Sequence, residues 1–187
     1  GHVTSQVEVA RDFEEGRGVI AALDDAIVWL RKAAEQGDRD AAFRLGAALM
    51  RPHNLRDIRG DASVWASDHR VDPSTKELLF PHTCSTQPDF AEAFSWMEKA
   101  ALAGKPEAQA NVGWMRMNGL GCEVDHKDAH RWFQLGAESG LAQAEFGLGE
   151  QRANGWGCDR DIESAATHYR SAAKQGNASA AYQLARL

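Results

Sequence analysis

Ala93 to Gly104 reads AFSWMEKAALAG, Ala129 to Gly140 reads AHRWFQLGAESG and Ala165 to Gly176 reads AATHYRSAAKQG. The three segments start 36 residues apart, and an earlier copy, Ala26 to Gly37 (AIVWLRKAAEQG), lies 67 residues before the first, which is one period plus 31. A fixed period of this length marks a stack of small units, because one unit cannot bury its own apolar faces and needs a neighbour to cover them.

A second helical pattern stands before each copy. Its aligned positions carry Val7, Phe43, Ala110, Phe146 and Tyr182, then Val9, Leu45, Val112, Leu148 and Leu184, then Ala10, Gly46, Gly113, Gly149 and Ala185. A large residue, a branched one and a small one form a packing face, and the small residue admits a close neighbour. Between the two patterns lies a Gly-x-Gly turn: Gly16 and Gly18, Gly119 and Gly121, Gly155 and Gly157. These glycines suit a helix C-cap followed by a tight reversal. Pro106 suits the first turn of a helix.

The sequence therefore predicts an all-α chain of stacked antiparallel helical hairpins with a period of 36 and one long insertion. The hairpins span 4–38, 39–104 with the insertion 52–88, 105–140 and 141–176, and a terminal helix spans 178–187, all read as a single domain, 1–187. Composition agrees: 32 alanines stand against 18 valines, isoleucines and threonines together, so helix formers outweigh strand formers. A net charge of −6 provides no basic face for nucleic acid. No apolar run approaches the roughly 18 residues of a membrane span.

The order Ala-x-x-x-x-Gly, Gly-x-Gly, then Ala-x-x-Trp-x-x-x-Ala-x-x-x-Gly resembles the Sel-one-like repeat, a branch of the tetratricopeptide-like solenoids. AQANVGWMRMNGLGCEVDHKDAHRWFQLGAESG, ending at Gly140, carries it best. His168 in place of the helix-B tryptophan and Pro52 in place of a turn glycine depart from it. The resemblance implies a right-handed superhelical solenoid that binds proteins on a concave face lined by the first helix of each hairpin. It further implies a non-enzymatic adaptor or inhibitor, with a bacterial immunity protein that neutralises a secreted toxic effector as its sharpest form. An enzyme or small-ligand protein, with a pocket between the insertion and the groove, is the alternative.

The partner-binding residues expected on that face are Arg11, Met50, Trp114, Met117 and Glu150, with Trp156 at a turn and Trp65 in the insertion. Trp29, Trp96 and Trp132 share one column and are expected in the core. Glycines at Gly16 and Gly18 in GRGVIA mimic a dinucleotide fingerprint but follow a helix instead of the strand that site requires. His126 and His130 share a helix face but show only two ligands. His53, His69, His82 and Cys84 match no zinc spacing. No catalytic residue, metal or cofactor is therefore expected. Cys122 and Cys158 occupy equivalent positions and read as packing residues, and three cysteines make no disulfide framework. The partner is expected to be a protein and the chain a monomer. Gly1-His2 resembles a cleavage remnant, which leaves the localisation open between cytoplasm and periplasm, and a stack that ends at Leu187 without a polar capping helix is expected to continue in the native protein.

Overall fold

The computed structural model describes residues 2–18, 23–50 and 89–187. Among these residues every regular element is an α-helix. The chain divides into two compact units, Gly1–Asp89 and Phe90–Leu187. The first holds α1 (Val3–Glu15), α2 (Leu23–Glu35) and α3 (Arg39–Leu49). The second holds α4 (Phe90–Leu102), α5 (Pro106–Asn118), α6 (His126–Glu138), α7 (Ala142–Asn154), α8 (Ile162–Lys174) and α9 (Ala178–Leu184). Within each unit a helix packs on its neighbours in sequence, and α5 also meets α7. The starts of α4, α6 and α8 fall 36 residues apart, as do those of α5, α7 and α9. Trp65, His53, His69, His82 and Cys84 lie outside the described residues, as does the whole insertion, 52–88.

Short polar signals set the helix ends. The Asp125 carboxylate accepts from the amides of Lys127 (3.0 Å) and Asp128 (2.9 Å), the Asp161 carboxylate from Ser164 (3.0 Å), and the Asn177 side chain from Ala180 (2.9 Å). Each satisfies amides that a helix start leaves without a partner. Two backbone hydrogen bonds also hold the Asp125 carboxyl below its usual range, the one from Asp128 foremost. Pro106 occupies the first turn of α5, as its fixed φ favours. Gly119 and Gly155 close α5 and α7 in the left-handed conformation, and their amides return to Met115 and Gln151.

The second glycine of each turn does more than reverse the chain. A Cβ on Gly121 would meet the Phe90 carbonyl, and one on Gly157 would meet that of His126. Both glycines thus lie against the first residue of the preceding repeat's second helix, and both have φ of 72°. Only a residue without a side chain fits there.

The core column differs from the one read in the sequence. Trp96 is buried, but Trp29 and Trp132 are only half-buried, so they are not core residues. The following position, Leu30, Met97, Phe133 and Tyr169, is almost wholly buried in all four copies. Trp29 and Trp132 instead keep part of their surface in solvent. The indole N–H of Trp96 donates to Glu92 (3.1 Å) and that of Trp132 to Asp128 (3.2 Å), while Lys99 covers the ring of Trp96 at 3.8 Å. An indole has a polar end that seeks such a partner, whereas a phenyl ring does not. Phe133 lies between Gly113 of α5 and Gly147 of α7, whose missing side chains leave room for its ring. Tyr169 uses Gly149 in the same way.

Candidate functional site

The first unit places Arg11 in an exposed position near the C-terminal end of α1 and Met50 half-buried just after α3. Glu14, one turn beyond Arg11, is engaged by Arg44 from α3, which also donates to the Val7 carbonyl at 3.4 Å. The amide of Asp89 donates to the Leu49 carbonyl at 3.2 Å, so the chain entering the insertion and the chain leaving it meet.

In the second unit the expected column splits into a packed part and an exposed part. Trp114 is half-buried, with its ring 5.4 Å from Phe133 in an edge-on contact and 5.7 Å from Phe146. Its indole nitrogen is buried and has no hydrogen-bond partner. Met117 is 6% exposed within the cluster of Ala110, Ala129, Phe133, Ala144 and Leu148, which corrects its placement on a binding face. A helix of 3.6 residues per turn with neighbours on two sides leaves only a narrow strip free, and position 117 turns inward.

Glu150 is half-buried and occupied. The Tyr169 hydroxyl donates to its Oε1 at 2.6 Å and the Gln183 amide at 3.1 Å, which ties α7 to α8 and α9. Burial first, and then the bond to Glu150, push the Tyr169 hydroxyl above the ordinary tyrosine range. Trp156 remains 39% exposed at the middle of its turn and stacks on the His126 imidazole, with centroids 5.7 Å apart and planes 14° from parallel. Leu120, its equivalent one repeat earlier, is also exposed. Val124 and Ile162 add exposed apolar side chains just before α6 and at the start of α8.

Gln151, a residue the sequence did not single out, is fully buried and joins both histidines. Its amide nitrogen donates to the His126 carbonyl at 2.9 Å, which turns its oxygen toward His130 Nδ1 at 2.8 Å. Nδ1 of His130 must then carry the proton, because the amide oxygen is acceptor only. Position 151 is methionine one repeat earlier, so no repeat signal marks it. Cys122 and Cys158 are half-buried free thiols, and burial raises both above the ordinary thiol value. A raised thiol pKa disfavours the nucleophilic thiolate. Among the described residues no three His, Cys, Asp or Glu side chains gather as metal ligands, and no helix is long and apolar enough to cross a membrane.

These hairpins, turns and packing columns have a family counterpart. The family model of the Sel1 repeat matches residues 4–38, 83–105, 106–141 and 142–177, more than half of the chain. The chain belongs to the Sel1 repeat family. Proteins built from this repeat generally serve protein–protein interaction and are typically non-catalytic scaffolds.

A protective antigen present in uropathogenic Escherichia coli strains, displaying an SLR fold, is 31% identical to this Sel1 repeat chain with a TM-score of 0.73. The match covers 98% of this chain and 33% of the antigen, so the chain spans about a third of that protein's length. A Sel1 repeat protein from Oxalobacter formigenes is 27% identical with a TM-score of 0.56, over 84% of this chain and 96% of its own. No curated protein matches the chain.

Proposed function

We propose that this Sel1 repeat chain is a non-enzymatic adaptor or inhibitor that binds a protein partner. The observation that carries this reading is the run of exposed apolar residues along the turn edge of the second unit: Leu120, Val124, Trp156 and Ile162. Leu120 and Trp156 hold the same register in successive repeats, so stacking sets them along one edge. Tryptophan is favoured at interface hot spots, where its ring contributes a large contact area at small entropic cost. Trp156 takes the role of anchor, with the half-buried Trp114 and the helix-A residue Glu150 as accessory contacts within the second unit. The sharpest form of the reading is an immunity protein against a secreted toxic effector, a role that the family resemblance implies for some bacterial members.

The test is to recover a stoichiometric partner from the native host, purify it and measure its affinity for the chain and for Trp156→Ala. A loss of about tenfold or more is expected, the size of a modest aromatic hot spot. An unchanged affinity removes Trp156 as the anchor. A bound small molecule in place of a protein overturns the scaffold reading altogether.

A further inference from the structure

Arg116 and Arg152 stand 36 residues apart at the same register of α5 and α7, and only the first is paired. Arg116 reaches Glu98 of α4 through Nη2 at 3.2 Å and Asp128 of α6 through Nε at 3.1 Å. Its guanidinium also lies over the Phe94 ring at 4.6 Å. One period later, Gln134 stands where Glu98 stood and Ser164 where Asp128 stood. Arg152 makes no ion pair among the described residues; the Nε of both arginines is buried without a well-formed hydrogen bond, but only that of Arg116 has a carboxylate beside it, Asp128 at 3.1 Å. The side chain as a whole is only half-buried, so it can be reached from outside.

The two replacements change the chemistry of the position as well as its charge. Glu98 and Asp128 present anionic acceptors, which satisfy Arg116 and would repel any further carboxylate. Gln134 and Ser164 bring an amide N–H and a hydroxyl, both able to donate to an anion. The chain does not lack acids, with 27 Asp and Glu against 21 Lys and Arg, yet the two positions that pair Arg116 carry none in this repeat, and the nearby Asp161 carboxylate is engaged by the Ser164 amide. A guanidinium presents a planar fork of donors that matches a carboxylate, and partial burial strengthens the pairing relative to a fully solvated one.

We propose that Arg152 is the receptor for an external carboxylate, the Asp or Glu side chain of a protein partner, which takes the place that Glu98 and Asp128 fill beside Arg116. This rests on the scaffold reading for the source of the carboxylate but not for its chemistry. Asp or Glu inserted between α6 and α8 would fix the partner's register along the stack, a role suited to a single directional charge pair.

The test begins without a partner. The Nε–H resonance of Arg152 in the intact chain 1–187 is followed by NMR during titration with N-acetyl-glutamate amide, against sodium chloride at matched ionic strength. A saturable shift with glutamate and not with chloride is expected. Ser164→Asp, which rebuilds the acid of the previous repeat, should keep the fold and weaken the response about tenfold by occupying the guanidinium from within. Arg152→Gln should abolish the response of the remaining neighbouring amides, and this serves even if Ser164→Asp does not fold. Equal shifts with chloride, or a response that survives Arg152→Gln, overturn the receptor.

With the partner in hand, Arg152→Gln should weaken binding about tenfold. Partner binding untouched by that change, in a chain that does bind glutamate, overturns the assignment to a partner side chain and points to a small free carboxylate. Binding of the partner with no glutamate response and no effect of Arg152→Gln removes the receptor and leaves the scaffold reading standing.

Discussion

Gly157 lies directly against the first residue of α6, so that a Cβ on it would run into the His126 carbonyl, and its φ of 72° is in the left-handed region. Gly18 holds the equivalent place in the first repeat with a φ of 70°, but a Cβ there meets nothing within 4 Å. The two positions separate conformational strain from steric exclusion. Gly18→Ala should cost about 1 kcal/mol, the strain of a left-handed alanine. Gly157→Ala adds a backbone collision and should cost about 3 kcal/mol or more. Urea unfolding of both variants, followed by circular dichroism, checks this. Equal losses would mean that the close approach at His126 relaxes freely.

Phe133 and Trp132 are adjacent in sequence and opposite in role. Phe133 is fully buried between Gly113 and Gly147, whereas Trp132 is half-buried and bonded to Asp128. Phe133→Ala should cost about 3–5 kcal/mol, because the vacated space is walled by backbone that cannot close in. Trp132→Ala should cost about 1–2 kcal/mol, the loss of partial burial and one side-chain bond. Denaturation midpoints of the two variants should differ accordingly, and the reverse order would return the tryptophan column to the core.

That contrast shows how far the sequence could be read. Periodicity located the hairpins, because the glycine turns, Pro106 and the small-residue columns each act within a few residues of themselves. Gly113 and Gly149 were legible as points of close approach, and they do receive the rings of Phe133 and Tyr169. The burial of Trp132 against that of Phe133 was not legible, since both are large aromatic residues one helical step apart. Which of the two faces inward depends on the packing angle of the neighbouring helices. Met117 was misplaced for the same reason. The bridge from Gln151 to His126 and His130 joins residues up to 25 positions apart without any repeated pattern, so nothing local announced it.

Tyr169 gives the second unit a pH dependence of known sign. Its hydroxyl is buried against Glu150, and its ionisation lies above the ordinary tyrosine value of about 10. The unfolded chain therefore releases this proton at a lower pH than the folded one. The resulting stability is intact below about pH 10 and is lost as pH rises above it. Tyr169→Phe should flatten the fall in stability on the alkaline side, at the cost of leaving Glu150 with only Gln183 as a partner. Denaturation midpoints between pH 8 and pH 11, compared for the two chains, read the effect; parallel curves would show that Tyr169 ionises in the folded and unfolded states alike.

Trp114 and Trp156 occupy the two surroundings that an interaction surface can offer a tryptophan, and their alanine variants should part in stability. Trp114 contacts Phe133 and Phe146 and closes the top of a buried cluster. Trp114→Ala removes those ring contacts, and release from its unpartnered indole N–H offsets only part of the loss, so a destabilisation of about 2 kcal/mol is expected. Trp156 rests on His126 with much of its ring in water, and Trp156→Ala should cost no more than about 0.5–1 kcal/mol. Thermal unfolding of both variants beside the parent chain measures the difference. A large loss at Trp156 and none at Trp114 would reverse the assignment of packing and surface, and would move the partner's anchor from the turn edge to the face of α5.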